Sequence, residues 1–121
     1  PTSELDTVPM KTLVGGIARA VEDFEPTEVI LPFFGDAHSD HRIAYDAGSA
    51  AVKWFRAPSV QRVLAYETLS ETDIALEGPA RNFKPNFYVD ITTDFDQKLE
   101  TFSIYETEVG LFPFPRRVQP H

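Results

Sequence analysis

The sequence predicts an α/β fold with a mostly parallel sheet, on three observations. Its periodic segments follow the order helix, strand, helix, strand, strand, helix, an alternation that layers helices on a sheet. The run over residues 27–34 is almost wholly apolar and does not alternate, which reads as a central strand buried on both faces. A chain of 121 residues, 42% hydrophobic and 25% charged, has the balance of one small globular domain rather than of a disordered or collagen-like chain. No repeat, linker or low-complexity stretch divides it, so a single domain is expected over 1–121.

The first helix is expected over residues 8–24, where Leu13, Val14, Ile17, Val21 and Phe24 share a face. Asp6 or Thr7 suits its cap, Pro9 suits its first turn and Pro26 stops it. Gly15 and Gly16 each weaken the interior by about 1 kcal/mol relative to alanine, so this helix depends on a packing partner. After the strand, Gly35 breaks the pattern. Asp36-Ala37-His38-Ser39-Asp40-His41 then leads into a second helix carrying Ile43, Ala44, Ala47, Ala51, Trp54 and Phe55, with Pro58 as its stop. Tyr45 and Trp54 on that helix read as core or interface packing residues. A second strand is expected over residues 60–66 and a third over 87–91. Asp90 within the third reads as a structural hydrogen-bonding residue beside Thr92 and Thr93. Residues 67–84, with Gly78-Pro79, read as a surface excursion. Thr93-Asp94-Phe95-Asp96 has the Ser/Thr-x-x-acid form of a helix start, and Phe95, Leu99 and Phe102 follow at helical spacing to about residue 105. The tail, with Pro113, Pro115 and Pro120, reads as irregular.

Composition excludes several partners and chemistries. Eleven Lys and Arg against 19 Asp and Glu give a net charge of −8, which repels phosphate backbones and anionic lipid headgroups; neither nucleic acid nor a membrane surface is expected. There are no cysteines, so any metal must sit on His, Asp or Glu. Apolar runs fall far short of the roughly 20 residues of a spanning helix, and the start lacks a basic signal-type segment. A cytoplasmic setting is the expectation.

Ligands of open α/β sheets collect at the carboxyl ends of strands, where loops feed helix N-termini. Residues 35–42 lie there and hold two of the three histidines, flanked by Asp36 and Asp40. If the turn is helical, His38 and His41 share a face. A plainer reading stands beside this: Ser39 or Asp40 caps the second helix and both histidines are merely solvated. A catalytic zinc site takes three protein ligands, and this segment offers one or two. Glu67 and Thr68 follow the second strand and reach the same edge of the sheet. Arg116-Arg117 in the tail could hold an anionic group or a partner. No Gly-rich phosphate loop, nucleophile elbow or His-Glu-x-x-His is present.

Pro32-Phe33-Phe34-Gly35-Asp36-Ala37-His38-Ser39-Asp40-His41-Arg42 resembles the second signature of the LmbE-like, or PIG-L, family of zinc-dependent N-deacetylases. That signature is an apolar strand followed by Asp-x-His-Pro-Asp-His-Arg. Flanking pieces fit in order: Leu5-Asp6-Thr7-Val8, Tyr66-Glu67-Thr68, Lys84 to Thr92, and the Pro-Phe-Pro-Arg tail ending at Arg116. The resemblance implies a Rossmann-like three-layer α/β fold and hydrolysis of the N-acetyl group of an amino sugar or N-acetylglucosaminyl compound. By position in the motif, His41 would be a Zn²⁺ ligand, and His38 would stabilise the oxyanion or act as general acid. Asp40 would orient or tune one of them, with Asp36, Arg42 and Glu67 as substrate contacts. Ser39 stands where the family commonly has proline, and Phe114 where a histidine is often seen. The family's other signature, Ala-His-Pro-Asp-Asp-Glu, which supplies the remaining ligands and the general base, is not in this sequence.

The expected reading is therefore the interior and C-terminal portion of such a deacetylase, its N-terminal strands and most of its metal site lying outside these 121 residues. The alternative is a non-catalytic fragment or interaction subunit that keeps the fold without a complete metal site. On either reading a central strand without its neighbour exposes an apolar edge. The chain is then expected to pair with another copy or with the N-terminal part.

Overall fold

Leu5–Thr7 form one 3-10 turn, and the chain then enters the helix α1, Met10–Phe24, in a computed structural model that describes residues 4–69, 71–72 and 82–105. Pro9 is the N-cap in place of the expected Asp6 or Thr7: its carbonyl accepts the amides of Thr12 (2.8 Å) and Leu13 (3.2 Å). Proline has no N–H of its own to leave unsatisfied at a helix start. At the other end Glu25 takes the left-handed conformation, φ 49°, and donates its amide to the Val21 carbonyl at 2.8 Å. Glycine is the usual occupant of such a terminus, and Pro26 directly follows.

The chain divides into two compact units, Pro1–Phe83 and Lys84–His121. In the first, the strands β1, Glu28–Pro32, and β2, Arg62–Tyr66, pair in parallel, Glu28 opposite Arg62 and Pro32 opposite Tyr66. The helix α2, Ser39–Ala51, makes the crossover that a parallel pair requires. A salt bridge between the Arg62 guanidinium and Glu28 ties the starts of the two strands together. Val21, Val52 and Ala57 form a small core joined by Ile17, Val29 and Val60, and Leu31 of β1 packs against Gly48 of α2.

Three expectations are corrected here. The strand β1 is covered on one face only: Leu31 is buried, while Ile30 on the other face is 57% exposed. Among the described residues β2 is its sole ladder neighbour, and α2 packs on the Leu31 side. The helix α2 ends at Ala51, short of Trp54 and Phe55, because the chain tightens into a turn in which Lys53 accepts from Arg56 (2.7 Å) and Ala57 (3.0 Å). Trp54 is 83% exposed, stacked edge-on against Phe55, and so is not a packing residue of the core. Tyr45 does pack, half-buried beside the Phe34 ring at 5.4 Å.

In the second unit residues 85–91 form no strand. Phe87, Tyr88, Val89 and Ile91 are exposed. Asp90 has the structural role read from the sequence: its Oδ1 accepts the Thr92 hydroxyl (2.6 Å) and amide (2.9 Å). Those bonds, the hydroxyl's foremost, hold its carboxyl below the ordinary value. The helix α3, Phe95–Ser103, is preceded by Asp94, whose side chain makes no capping bond, so the box expected from Thr93 and Asp96 does not form. Thr93 donates instead to Asp94 Oδ2 at 3.1 Å. Gly78-Pro79, Phe114, Arg116 and Arg117 lie outside the described residues. Among the described residues no helix is long and apolar enough to cross a membrane.

Candidate functional site

The loops that leave the carboxyl ends of β1 and β2 meet beside the start of α2. After β1 the chain turns tightly, the Asp36 amide donating to the Phe33 carbonyl at 3.2 Å. This turn carries the Asp36 carboxyl inward, to 1% exposure, and both of its oxygens are engaged. Oδ2 lies 2.7 Å from His41 Nδ1, and Oδ1 accepts the Thr72 hydroxyl at 2.6 Å. An ionised carboxylate only accepts, so His41 carries its proton on Nδ1 and, when neutral, presents a lone pair on Nε2. The His41 side chain is 26% exposed.

His38 has the opposite arrangement. It is the N-cap of α2, in extended conformation, and its Nδ1 accepts the Asp40 amide at 3.1 Å. An accepting Nδ1 places the proton of the neutral ring on Nε2. The two imidazoles stack, centroids 5.3 Å apart and 24° between planes. One turn of backbone thus presents a histidine with an accepting Nε2 beside a histidine with a donating Nε2.

The cap read from the sequence, Ser39 or Asp40, is replaced by His38. Ser39 is the first helical residue, and Asp40 lies in the first turn, where negative charge suits the helix dipole. The Asp40 backbone N–H donates to His38 Nδ1. Its carboxylate Oδ1 accepts the Leu5 amide at 3.1 Å, fastening the 3-10 turn to the start of α2. Asp36, expected as a substrate contact, is instead a carboxyl buried under two intramolecular hydrogen bonds, one of them to His41. Arg42, half-buried on α2, and Glu67, exposed just past β2, sit at the same end of the sheet.

Sequence reasoning missed Thr72. Thr68, Glu71 and Thr72 close a turn: the Thr68 carbonyl accepts the amides of Glu71 (3.1 Å) and Thr72 (2.9 Å), and the Thr68 amide donates to Thr72 Oγ1 at 2.9 Å. The turn is stapled to the loop after β1 twice, by Ala37 N–H to the Glu71 carbonyl at 3.0 Å and by Thr72 to Asp36. The only signal for this was the parallel pairing itself, which places both post-strand loops side by side; nothing local marks Thr72 among the other threonines.

Among the described residues there is no group of three or more His, Asp or Glu side chains able to hold a metal ion. His41 Nε2 suits one ligand position, with its other nitrogen anchored on a carboxylate as metal-binding histidines usually are. Asp36 is 1% exposed, and each of its oxygens already has a partner, His41 and Thr72. No protein-family model matches the chain, nor does any curated protein or solved structure.

Proposed function

We propose that this chain carries part of the site of a zinc-dependent N-deacetylase of the LmbE-like kind, acting on an amino sugar or N-acetylglucosaminyl compound. The observation that carries the reading is the pair of oppositely engaged imidazoles, His41 Nδ1 against the Asp36 carboxylate and His38 Nδ1 against the Asp40 amide, which favours a lone pair at His41 Nε2 and a proton at His38 Nε2. A metal ligand and an oxyanion donor can both assist hydrolysis at one amide carbonyl.

In this reading His41 Nε2 is the one zinc ligand that the described residues supply, and the ion, when bound, acts as the Lewis acid that amide hydrolysis requires. Asp36 holds the His41 ring in the plane of its Nδ1–H bond. His38 Nε2–H donates to the amide oxygen as negative charge builds there, and the Asp40 amide keeps that ring from turning its lone pair toward the substrate. A donor already fixed by a backbone N–H has little to reorganise during reaction, which makes such groups effective. An uncharged N-acetyl sugar suits a chain of net charge −8 better than a polyanion does. The β1–α2–β2 unit is consistent with the finer fold reading, a Rossmann-like three-layer sheet, and the exposed Ile30 face with a further strand, helix or second copy against it.

Zinc content and acetate release from N-acetylglucosaminyl compounds test the proposal in the full-length polypeptide. The wild type is expected to hold about one zinc per subunit. His41→Ala is expected to lose metal and activity together, and His38→Ala to keep the metal while losing about 10²–10³ in kcat. Absence of both zinc and acetate release in the wild type would overturn this reading in favour of a non-catalytic interaction subunit.

A further inference from the structure

We infer that Thr72 is a positioning residue for His41, acting through Asp36, so that the turn after β2 sets which nitrogen His41 presents. The inference rests on the deacetylase reading for its consequence, though not for its geometry. Thr72 Oγ1 accepts the Thr68 amide at 2.9 Å, and with that lone pair occupied its single proton goes to Asp36 Oδ1 at 2.6 Å. A carboxylate bonded at Oδ2 alone could rotate about its Cβ–Cγ bond. Bonded at both oxygens, and 1% exposed, it has one orientation, and that orientation aims Oδ2 at His41 Nδ1. The chain of donors therefore runs one way: Thr68 N–H to Thr72, Thr72 O–H to Asp36, His41 Nδ1–H to Asp36. Each member fixes the next, and the result is an Nδ1–H tautomer whose Nε2 is left to act.

Placement makes this more than loop anchoring. The Ala37–Glu71 bond already fastens the two loops through their backbones, so the Thr72 hydroxyl is not needed to hold them together. Its separable contribution is to the carboxylate. A merely structural threonine would be replaced by valine, its near-isostere, with no change at His41. A positioning threonine would not.

The test reads the ring ¹⁵N shifts of His41 and His38 in the metal-free full-length protein, wild type, Thr72→Ser and Thr72→Val, at pH about 8.5, well above the ordinary imidazole value. The wild type and Thr72→Ser are expected to show His41 with its proton on Nδ1. Thr72→Val is expected to show a mixture of His41 tautomers and about a tenfold loss of zinc affinity, the low end for an outer-shell contact, while His38 keeps its Nε2 proton. An unchanged His41 tautomer in folded Thr72→Val overturns the inference. So does a wild-type His41 protonated on Nε2, a result that needs no variant to fold. Because tautomers are read without zinc or substrate, a protein that fails to release acetate leaves this outcome standing, and the two proposals fail separately.

Discussion

At the scale of single residues, the chemistry turns on a carboxylate that faces inward. Asp36 is buried to 1% exposure with His41 and Thr72 as its partners. Asp36→Ala leaves a half-buried imidazole N–H and a threonine hydroxyl without an acceptor, each worth about 1–3 kcal/mol. A loss of roughly 3 kcal/mol in denaturant unfolding is expected, against less than about 1 kcal/mol for Glu67→Ala at an exposed site. Asp90 gives a second prediction. Its carboxyl is held below the ordinary 3.8 by the Thr92 hydroxyl and then the Thr92 amide, so the turn's contribution is present above the ordinary Asp range and lost as pH falls through the lowered folded value. The Thr92 amide resonance is expected to titrate with an inflection below 3.8; an inflection at or above it would contradict the bonds. The histidines were legible because they follow an apolar strand, at the sheet edge where ligands of α/β folds collect. Asp36 was visible but assigned outward, since a sequence does not say on which side of a tight turn a carboxyl will fall. Thr72 was invisible, because its partner lies 36 positions away.

At the scale of elements, periodicity located α1, α2, β1 and β2, the helices and strands described in the first unit, and missed where their faces end. The unbroken apolar run around β1 suggests burial on both sides, yet Ile30 is exposed; an apolar run reports what a strand can bury, and its neighbours decide what it does bury. Helical spacing likewise carried α2 through Trp54 and Phe55, where backbone hydrogen bonding has already turned the chain. Residues 87–91 have strand composition, yet they form no strand among the described residues. The glycines separate local from tertiary effects. A Cβ on Gly48 would lie 2.5 Å from Leu31 Cδ2 and 3.1 Å from Cδ1, so the whole Leu31 end would have to move from a buried site. Gly48→Ala is expected to lose about 1–2 kcal/mol, overpacking of about 1–3 outweighing the helix propensity gained. Gly15 and Gly16 have nothing within 4 Å of the same position, and alanine at either is expected to stabilise α1 by up to about 1 kcal/mol. Thermal unfolding of the three variants checks the opposite signs.

At the scale of the whole molecule, stability is unevenly distributed. Among the described residues the buried hydrophobic side chains, from Val21 to Ala57, all belong to the first unit, whereas α3 has none. Opening free energy follows buried apolar contact. Amide exchange is therefore expected to protect α1, α2 and β1 most strongly and α3 less by about tenfold or more, a difference of roughly 1.4 kcal/mol or above. Equal protection in α3 would mean that its Leu99 and Phe102 face is covered in solution.

The exposed Trp54 decides how such experiments can be followed. It is the only tryptophan of the chain, it stands 83% in water, and water already surrounds its indole before any unfolding begins. Its emission in the native state is that of a hydrated fluorophore, long in wavelength and open to collisional quenchers, and denaturant has little left to change. Intrinsic fluorescence is consequently a dim witness to the loss of this fold but a sensitive one to anything that settles over the turn after α2, where a contact that dried the ring would shift the spectrum to the blue.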